Sequence, residues 1–325
     1  MSTGFITVAP EVSEAVEVGR PVVALESTIF THGLPRPRNI EVAREAEQIV
    51  RDAGAVPATI GVVHGVPTVG LTDEEIVELS HDDAALKSGI RELALGAVNR
   101  KNAGTTIAAT AFLAHRAGVK VFATGGMGGV HHGASENFDE SADLLALAQN
   151  PIVLVSAGAK AVLDIHATLE RFETLSVPVV GYRTNAYPGF YVTESGFSVA
   201  HRVESPEDVA AIYHAQRQLE LSTAVLVGNP VPADEVSLER GALLYDVHCS
   251  VCHGAQGQAD GPVTAFWRAD ARQPANLTEA RMTTMSDSSL YITISQGYGT
   301  MPPLRENLTV RERWDVVNYV KGMSQ

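Results

Sequence analysis

The stretch VKVFATGGMGG, residues 119–129, places an apolar run directly before a turn with four glycines in five positions. A buried strand followed by a glycine-rich turn is typical of α/β proteins, whose ligands bind at the carboxyl ends of the strands. Similar apolar runs recur on both sides of this stretch, separated by helical patterns, as far as residue 230. Several of these runs are almost wholly apolar, so we expect strands that helices cover on both faces. The alternation predicts an α/β/α layered domain.

The predicted elements of this domain are six strands and five helices. The strands are 21–27, 58–65, 119–126, 151–158, 178–184 and 224–230. The helices are near 40–53, 105–117, 140–148, 159–171 and 206–219. The last helix begins at SPEDVAA, where Ser205 is a suitable N-cap and Pro206 takes the first helical position.

The pattern changes after the stretch NPVPADEVS, residues 229–237. No strand-rich pattern follows. Instead the sequence predicts a helix, a loop region with Gly, Pro and Ala, short helices near 287–296 and a closing helix over 309–323. We therefore predict two domains, an α/β domain over 1–236 and a small all-α domain over 239–325.

The composition, with 45% hydrophobic and 19% charged residues, is that of a folded protein. Residues 1–238 hold 16 Lys and Arg against 29 Asp and Glu, and residues 239–325 hold 8 against 9, which makes up the net charge of −14. An acidic body argues against nucleic acid as a partner. No apolar run approaches the roughly 20 residues of a membrane-spanning helix, so no membrane span is predicted. The first twenty residues lack the pattern of a signal peptide, so the chain as written is predicted to be cytoplasmic.

The only two cysteines of the chain, Cys249 and Cys252, are followed at once by His253. This C-x-x-C-H pattern attaches haem c, because the thiols add to the two vinyl groups and the imidazole reaches the iron. Met301, in the proline-stiffened stretch GYGTMPP, is suited to be the second iron ligand. A zinc site or an isolated thiol pair is the alternative, but zinc requires four ligands, and only His248 and His253 lie nearby in sequence.

The helix that leads into this motif is predicted to pack on the closing helix. Gly241 and Tyr245 lie four residues apart on one face of the first helix. We expect that face to meet Val316 and Tyr319 of the closing helix.

Reactive side chains follow several strands of the α/β domain. Glu26 comes directly after an apolar strand, in ALESTIFTHG, and Lys160 follows another, in VSAGAKAVLD. A lysine that is partly withdrawn from water can attack a carbonyl-like carbon, and a glutamate can act as general acid or base. Lys87 and the N–H groups of the glycine-rich turn could hold a phosphate, and Asp139 could hold a divalent metal. Each feature alone is also compatible with ordinary solvated surface or a tight turn.

Together these stretches carry a family resemblance. The motifs VALESTI, GAVPATI, FATGGMGGVHHGA, FDESADL, SAGAKAVLD and NPVP closely resemble those of pseudouridine-5'-phosphate glycosidases. The resemblance implies an indigoidine-synthase-A-like α/β/α fold, commonly trimeric. It also implies reversible cleavage of the C–C glycosidic bond of pseudouridine 5'-phosphate to uracil and ribose 5-phosphate.

The resemblance also implies a role for each matched residue. Lys160 would be the nucleophile that forms a Schiff base with the opened ribose, and Glu26 the proton donor. Asp139 would bind Mn²⁺. The residues implied in substrate contact are Lys87, Ile107, Ser141, Ala142 and Asp143.

The second segment resembles class I monohaem cytochrome c domains in its C-x-x-C-H motif, its DGP (260–262) and its MPP (301–303). The resemblance implies His253 and Met301 as axial ligands of a covalently held haem c, a six-coordinate iron that carries single electrons, and a redox partner protein. In the glycosidase family the chain continues past NPVP with a helical region that includes an asparagine of the active site. Here the cytochrome-like segment takes that place.

Three hypotheses follow from the sequence. The chain is a carbon–carbon glycosidase with an appended haem domain, or an electron carrier whose α/β domain is a relic or scaffold, or an accident of gene fusion or sequence assembly in which neither half is fully competent. The two segments point to different compartments, because nucleotide salvage belongs in the cytoplasm whereas haem c is normally attached outside the cytoplasmic membrane.

Overall fold

A computed structural model describes residues 5–159, 163–190, 195–230, 235–267, 273–285 and 287–323. The chain divides into two units, one formed by residues up to 183 with 200–229, the other by residues 184–199 with 230 onward. None of the helices in these described ranges is long and apolar enough to cross a membrane.

The first unit contains a mixed sheet with the strand order β1-β4-β3-β2-β7-β8-β11-β9-β10, and β6 joins β5 to β3. The pairs are parallel except those of β3 with β4 and with β6. The strands are β1 (Thr7–Val8), β2 (Val22–Leu25), β3 (Val56–Val63), β4 (Val66–Val69), β5 (Leu86–Ser88), β6 (Ala103–Thr105), β7 (Val121–Thr124), β8 (Val153–Ser156), β9 (Val179–Tyr182), β10 (His201–Val203) and β11 (Val225–Gly228).

The helices of the first unit connect these strands. They are α1 (Pro10–Glu17), α2 (Arg38–Asp52), α3 (Asp73–His81), α4 (Ile90–Val98), α5 (Ile107–Arg116), α6 (Ala134–Asn137), α7 (Ala142–Gln149), α8 (Ile165–Thr174) and α9 (Pro206–Gln218), together with a π-helical turn at Ile29–Gly33. Every residue of β3 and of β11 is buried, as expected for strands covered on both faces. The predicted α/β/α class is therefore confirmed.

All six predicted strands are present, and so are the five predicted helices. One helix starts later than predicted. The predicted helix 159–171 is α8, which begins at Ile165 because the side chain of Asp164 accepts the N–H of Ala167 at 2.9 Å and caps it. The prediction of α9 is confirmed in detail, since Ser205 caps this helix and Pro206 is its first residue.

The second unit is helical in its described C-terminal part, which confirms the predicted small all-α domain. Its helices are α10 (Glu235–His248), α11 (Ser250–His253), α12 (Ala280–Thr284), α13 (Asp287–Gln296) and α14 (Val310–Met323), with a 3-10 turn at Pro262–Phe266. Because α10 begins at Glu235, the predicted boundary between residues 236 and 239 lies inside this helix.

The predicted contact between α10 and the closing helix α14 is present. A side chain at Gly241 would come within 2.2 Å of the backbone oxygen of Asp315 and 2.9 Å of Cβ of Tyr319, so only glycine permits this approach. One turn further on, the rings of Tyr245 and Tyr319 lie 5.4 Å apart. The buried carboxylate of Asp315 accepts hydrogen bonds from Ser237 at 2.7 Å and from Arg240, which fixes the register of the two helices.

Candidate functional site

Glu26 lies at the carboxyl edge of the sheet, where β2 ends beside β7. Leu25 and Ala123 are in register between these strands, so Glu26 and Thr124 follow them side by side. The hydroxyl of Thr124 donates to Oε1 of Glu26, and the hydroxyl of Thr28 donates to Oε2. The carboxylate is therefore held by hydroxyl donors on both of its oxygens. Thr28 and Thr124 were not predicted as site residues, although Thr28 directly follows the predicted strand 21–27 and Thr124 lies near the end of the predicted strand 119–126.

Asp143 joins three chain segments at the same edge. Its Oδ1 accepts the N–H of Ala108 in α5, and its Oδ2 accepts the N–H of Gly128 in the glycine-rich turn, both at 3.0 Å. Its own N–H donates to Oγ of Ser141 at 3.2 Å. Burial raises the pKa of Asp143, opposed by these hydrogen bonds and by the positive charge of Lys87. The structure thus brings Asp143, Ser141 and the start of α5 together and places Lys87 within electrostatic reach.

The other predicted substrate residues flank this carboxyl group. Ile107 is the first residue of α5 and is buried, and Ala142 is the exposed first residue of α7. Lys87 is exposed on β5, in register with Gly104 of β6. These positions lie on three elements that converge at one edge of the sheet. Whether each contacts substrate stays a prediction.

A buried hydroxyl network lies beneath these side chains. Oγ of Ser27 accepts the N–H of Thr105 at 2.8 Å, and the hydroxyl of Thr105 donates to the carbonyl of Ile60 at 2.6 Å. The hydroxyl of Thr110 donates to that of Thr105 at 2.9 Å. Ser27, Thr105 and Thr110 are fully buried. The network connects Ser27, which follows Glu26, to Thr105 in the segment before α5. None of its residues was predicted from the sequence.

The glycine-rich turn packs too closely for side chains. A Cβ on Gly128 would lie 2.4 Å from Oγ of Ser141, and one on Gly129 would lie 2.4 Å from Oγ1 of Thr168. These glycines therefore allow the turn to press against the starts of α7 and α8. The turn was predicted as a phosphate cradle, but the N–H of Gly128 already donates to Asp143 and that of Met127 to the carbonyl of Gly158. These two N–H groups are therefore engaged within the protein, and phosphate binding by the rest of the turn stays a prediction.

The predicted nucleophile, Lys160, lies outside the described residues. On either side of this gap, Ala159 bridges to Met127 and Leu163 bridges to His131. The described ends of the segment thus pair with the glycine-rich turn and the residues that follow it.

Asp139, the predicted manganese ligand, is exposed, and its N–H donates to Oδ1 of Asn137 at 2.9 Å. Across the described ranges, no group of three or more His, Cys, Asp or Glu side chains could hold a metal ion. Manganese binding at Asp139 therefore stays a prediction, and no chemical step is assigned to that metal.

The second unit contains a cavity of about 600 Å³. Its wall includes all four predicted haem residues, Cys249, Cys252, His253 and Met301. Most of the remaining wall is apolar, including Leu277, Met282, Met285, Leu290, Ile294, Leu304, Val316 and Val320. A large, mainly apolar cavity with a few convergent polar groups is typical of a cofactor site. The two thiols, the imidazole and the thioether in this apolar wall are the groups that would hold haem c.

The imidazole of His253 is oriented by the backbone. Nδ1 lies 2.9 Å from the carbonyl oxygen of Ala275. A carbonyl can only accept, so Nδ1 carries the proton and Nε2 keeps the lone pair that binds a metal. Met301 sits in a tight turn in which it exchanges both backbone hydrogen bonds with Tyr298, at 3.0 and 3.1 Å. The two residues predicted as axial ligands are thus held by main-chain contacts.

The two thiols differ in exposure. Cys249 is buried, which raises the pKa of its thiol to about 12, whereas Cys252 is partly exposed. The hydroxyl of Tyr245 donates to the carbonyl of Gly254 at 2.8 Å and ties α10 to the end of the C-x-x-C-H turn.

Comparison with known families matches both segments of the chain. A family profile described as "Indigoidine synthase A like protein" matches residues 11–262. A second, described as "Cytochrome C oxidase, cbb3-type, subunit III", matches residues 236–320. The sequence is 62% identical over 234 residues to a pseudouridine-5'-phosphate glycosidase of Saccharopolyspora erythraea, which covers 72% of this chain and 77% of that protein.

Two solved structures are similar to the chain as a whole. An indigoidine synthase A-like protein of Thermotoga maritima matches with a TM-score of 0.65 and 31% identity, over 99% of this chain and 97% of that one. The prealnumycin C-glycosynthase AlnA, in complex with ribulose 5-phosphate, matches with a TM-score of 0.66 and 29% identity, over 98% of this chain and 97% of that one.

Proposed function

The chain belongs to the indigoidine synthase A-like family and ends in a cytochrome c domain, and we propose that its first unit is a pseudouridine-5'-phosphate glycosidase. The reaction is the reversible hydrolysis of the C–C bond between ribose and uracil, giving uracil and ribose 5-phosphate. The observation that carries this proposal is the 62% identity to a relative of that name over 234 residues. The convergence of Glu26, Asp143 and Lys87 at one edge of the sheet supports it.

The mechanism that we propose uses Lys160 as the nucleophile. Its neutral amine attacks C1' of the ribose, and the ring oxygen leaves with a proton from Glu26. The attached nitrogen is then positively charged and gives a proton to the Glu26 carboxylate, which frees its lone pair. This lone pair forms an iminium as the C1'–C5 bond breaks, and the bonding electrons pass to the uracil carbon, which takes the proton from Glu26. Water hydrolyses the iminium, releases ribose 5-phosphate, restores the amine and returns a proton to Glu26.

The hydrogen bonds of Glu26 suit this role. Donating hydroxyls stabilise the ionised form of a carboxyl group, which is the form left once a proton has been delivered. The hydroxyls of Thr28 and Thr124 occupy one oxygen each. They also aim the carboxyl group, so that its proton is presented from a fixed position.

Lys87 and the N–H groups of the glycine-rich turn are proposed to hold the substrate phosphate, and Ile107, Ser141 and Ala142 to contact the substrate. Binding of Mn²⁺ at Asp139 and assembly into a trimer remain predictions from the family resemblance. The overall reaction adds water and transfers no net electrons, so the glycosidase needs nothing from the haem.

We further propose that the second unit carries covalent haem c, attached through Cys249 and Cys252, with His253 and Met301 as axial ligands. The common cavity of about 600 Å³ that these four residues line supports this assignment. When bound, the haem supplies reversible one-electron oxidation and reduction. A redox protein is the expected partner of this unit.

Trapping of the Schiff base tests the enzyme proposal. Incubation with ribose 5-phosphate and borohydride should add mass to the peptide that contains Lys160, and uracil release from pseudouridine 5'-phosphate should be measurable by chromatography. Lys160→Ala should lose both. Lys120→Ala is the matched control, because Lys120 is exposed just before β7, away from the carboxyl edge of the sheet, and should keep both. A wild-type protein that forms no adduct and releases no uracil refutes the proposal.

A spectrum tests the haem proposal. Protein produced together with a haem-attachment system should gain the mass of one haem and show low-spin His/Met ligation. Met301→Ala should keep the covalent haem and lose the spectral band of the methionine–iron bond. An unchanged band would exclude Met301 as the ligand.

A further inference from the structure

The π-helical turn Ile29–Gly33 follows Glu26 closely and carries an exposed histidine, His32. Helical turns of this kind are rare and are frequently found at functional sites. No role was predicted for His32 from the sequence. Its place near the proposed proton donor raises the question of what the imidazole binds.

The imidazole of His32 is oriented by Thr31. Oγ1 of Thr31 donates its single proton to the carbonyl of Ser27 at 3.0 Å. Toward Nδ1 of His32, 2.7 Å away, the same oxygen can therefore only accept. Nδ1 thus carries a proton, and Nε2 is the ring nitrogen left for a ligand.

The same turn packs against the sheet beside Lys87. A Cβ on Gly104 of β6 would collide with Oγ1 of Thr31, so Thr31 lies on the face of the sheet to which position 104 points. Lys87 of β5 is in register with Gly104, and residues in register on paired strands point to the same face. The exposed side chain of Lys87 therefore leaves the sheet on the face that Thr31 and His32 cover.

These two side chains are free to bind an anion. Among the described side chains, no carboxylate forms an ion pair with His32 or Lys87. Asp143, which is within electrostatic reach of Lys87, accepts main-chain N–H groups on both of its oxygens. The glycine-rich turn offers less to an anion, because the N–H groups of Met127 and Gly128 already donate within the protein. An oxyanion held by Lys87 therefore needs a further donor, and His32 is placed to supply it.

We propose that His32 binds the phosphate group of the substrate together with Lys87, an inference that rests on the proposed glycosidase function and deepens it. Nε2 donates to a phosphate oxygen when the ring is protonated, and a phosphate dianion beside the ring favours that form. The pair then selects a phosphorylated sugar over the free sugar. Loss of one charge-assisted hydrogen bond should weaken phosphate binding by about tenfold to hundredfold.

The experiment measures the two KM values of the full-length protein in the synthetic direction, with ribose 5-phosphate and uracil as substrates. His32→Ala should raise the KM for ribose 5-phosphate by about tenfold to hundredfold and change that for uracil by less than about threefold. His32→Gln keeps a hydrogen-bond donor without the charge and should recover part of the loss. Inorganic phosphate should compete with ribose 5-phosphate in the wild type and do so more weakly in His32→Ala.

His214→Ala is the matched control and should change neither KM. His214 is an exposed histidine on α9, which connects β10 to β11 in the half of the sheet farther from β6. Thermal melting accompanies each variant. If His32→Ala is destabilised, the comparison uses His32→Gln, whose polar side chain has a similar reach.

An unchanged KM for ribose 5-phosphate in the His32 variants, or an equal rise in both KM values, overturns the inference and leaves the glycosidase proposal standing. Equal inhibition of the wild type and His32→Ala by inorganic phosphate overturns it as well. A wild-type protein that makes no pseudouridine 5'-phosphate from ribose 5-phosphate and uracil overturns both proposals.

Discussion

Replacement of Gly241 by alanine should destabilise the second unit by obstructing the crossing of α10 and α14. The added Cβ would lie 2.2 Å from the backbone oxygen of Asp315, 2.8 Å from its carbonyl carbon and 2.9 Å from Cβ of Tyr319. Two of these three contacts are with backbone atoms, so a change of rotamer cannot relieve them. The two helices must instead move apart, which would also strain the hydrogen bond of Ser237 to the carboxylate of Asp315.

The magnitude follows from two opposing effects. Overpacking of this kind costs about 3 kcal/mol, the upper end of the usual range, because the obstacles are backbone. Alanine in place of glycine within a helix returns about 1 kcal/mol. The net loss of about 2 kcal/mol lowers the melting temperature of a small domain by roughly 8–16 °C.

Gly322→Ala is the matched control. Gly322 lies in α14 itself, and a Cβ there would meet nothing within 4 Å. The only remaining effect of Gly322→Ala is the stabilisation that alanine gives over glycine in a helix, and near a helix end this is at most about 0.5 kcal/mol. The control should therefore melt at or slightly above the wild-type temperature, whereas Gly241→Ala melts well below it.

Tryptophan fluorescence isolates this unit, because both tryptophans of the chain, Trp267 and Trp314, belong to it. Thermal unfolding of the full chain followed by this signal should show the shift. If Gly241→Ala melts within a degree or so of the wild type, the claim that α10 and α14 are too close at Gly241 for a side chain is wrong.

Three further predictions concern the described sites. Ser27→Ala leaves the buried N–H of Thr105 without its acceptor and should cost the first unit about 1–3 kcal/mol in urea unfolding, whereas an unchanged value would exclude the network as a support. Burial raises the pKa of Asp143, so folded protein keeps a proton that unfolded protein has already lost. Wild-type stability should therefore fall as pH rises through the folded pKa, and Asp143→Asn should lack this slope in unfolding measured from about pH 4 to 8. In haem-free protein, iodoacetamide should modify Cys252 well before Cys249, because burial raises the pKa of the Cys249 thiol to about 12; equal rates by peptide mass spectrometry would contradict this.

The sequence predicted those elements that a short, contiguous stretch of residues identifies by itself. The six predicted strands are apolar runs, so they could be found without any knowledge of the fold, and the haem attachment residues were predicted from a motif of fixed spacing. The short strands β5 and β6 were not predicted, because LKS and AGT are too brief to show an alternating pattern. These two strands nevertheless place Lys87 and Thr105 at the site.

The start of α8 shows a different failure. The residues after SAGAK read as a continuous helical pattern, and the helix was predicted from residue 159. Asp164 is a typical N-cap residue, and its side chain caps the first turn of α8. The cap was present in the sequence, but the apolar periodicity on both sides of it obscured the boundary.

Backbone partners explain why the details of both sites escaped the sequence analysis. Asp143 is held by two main-chain N–H groups, and His253 is held by the carbonyl of Ala275. A main-chain group is present at every residue, so the identity of Ala275 gives no sign that its carbonyl orients an imidazole. Because side-chain substitution cannot remove these partners, variants at neighbouring positions should alter rates or potentials while the two groups keep their orientation. A loss of adduct in Lys160→Ala can then be attributed to the missing amine.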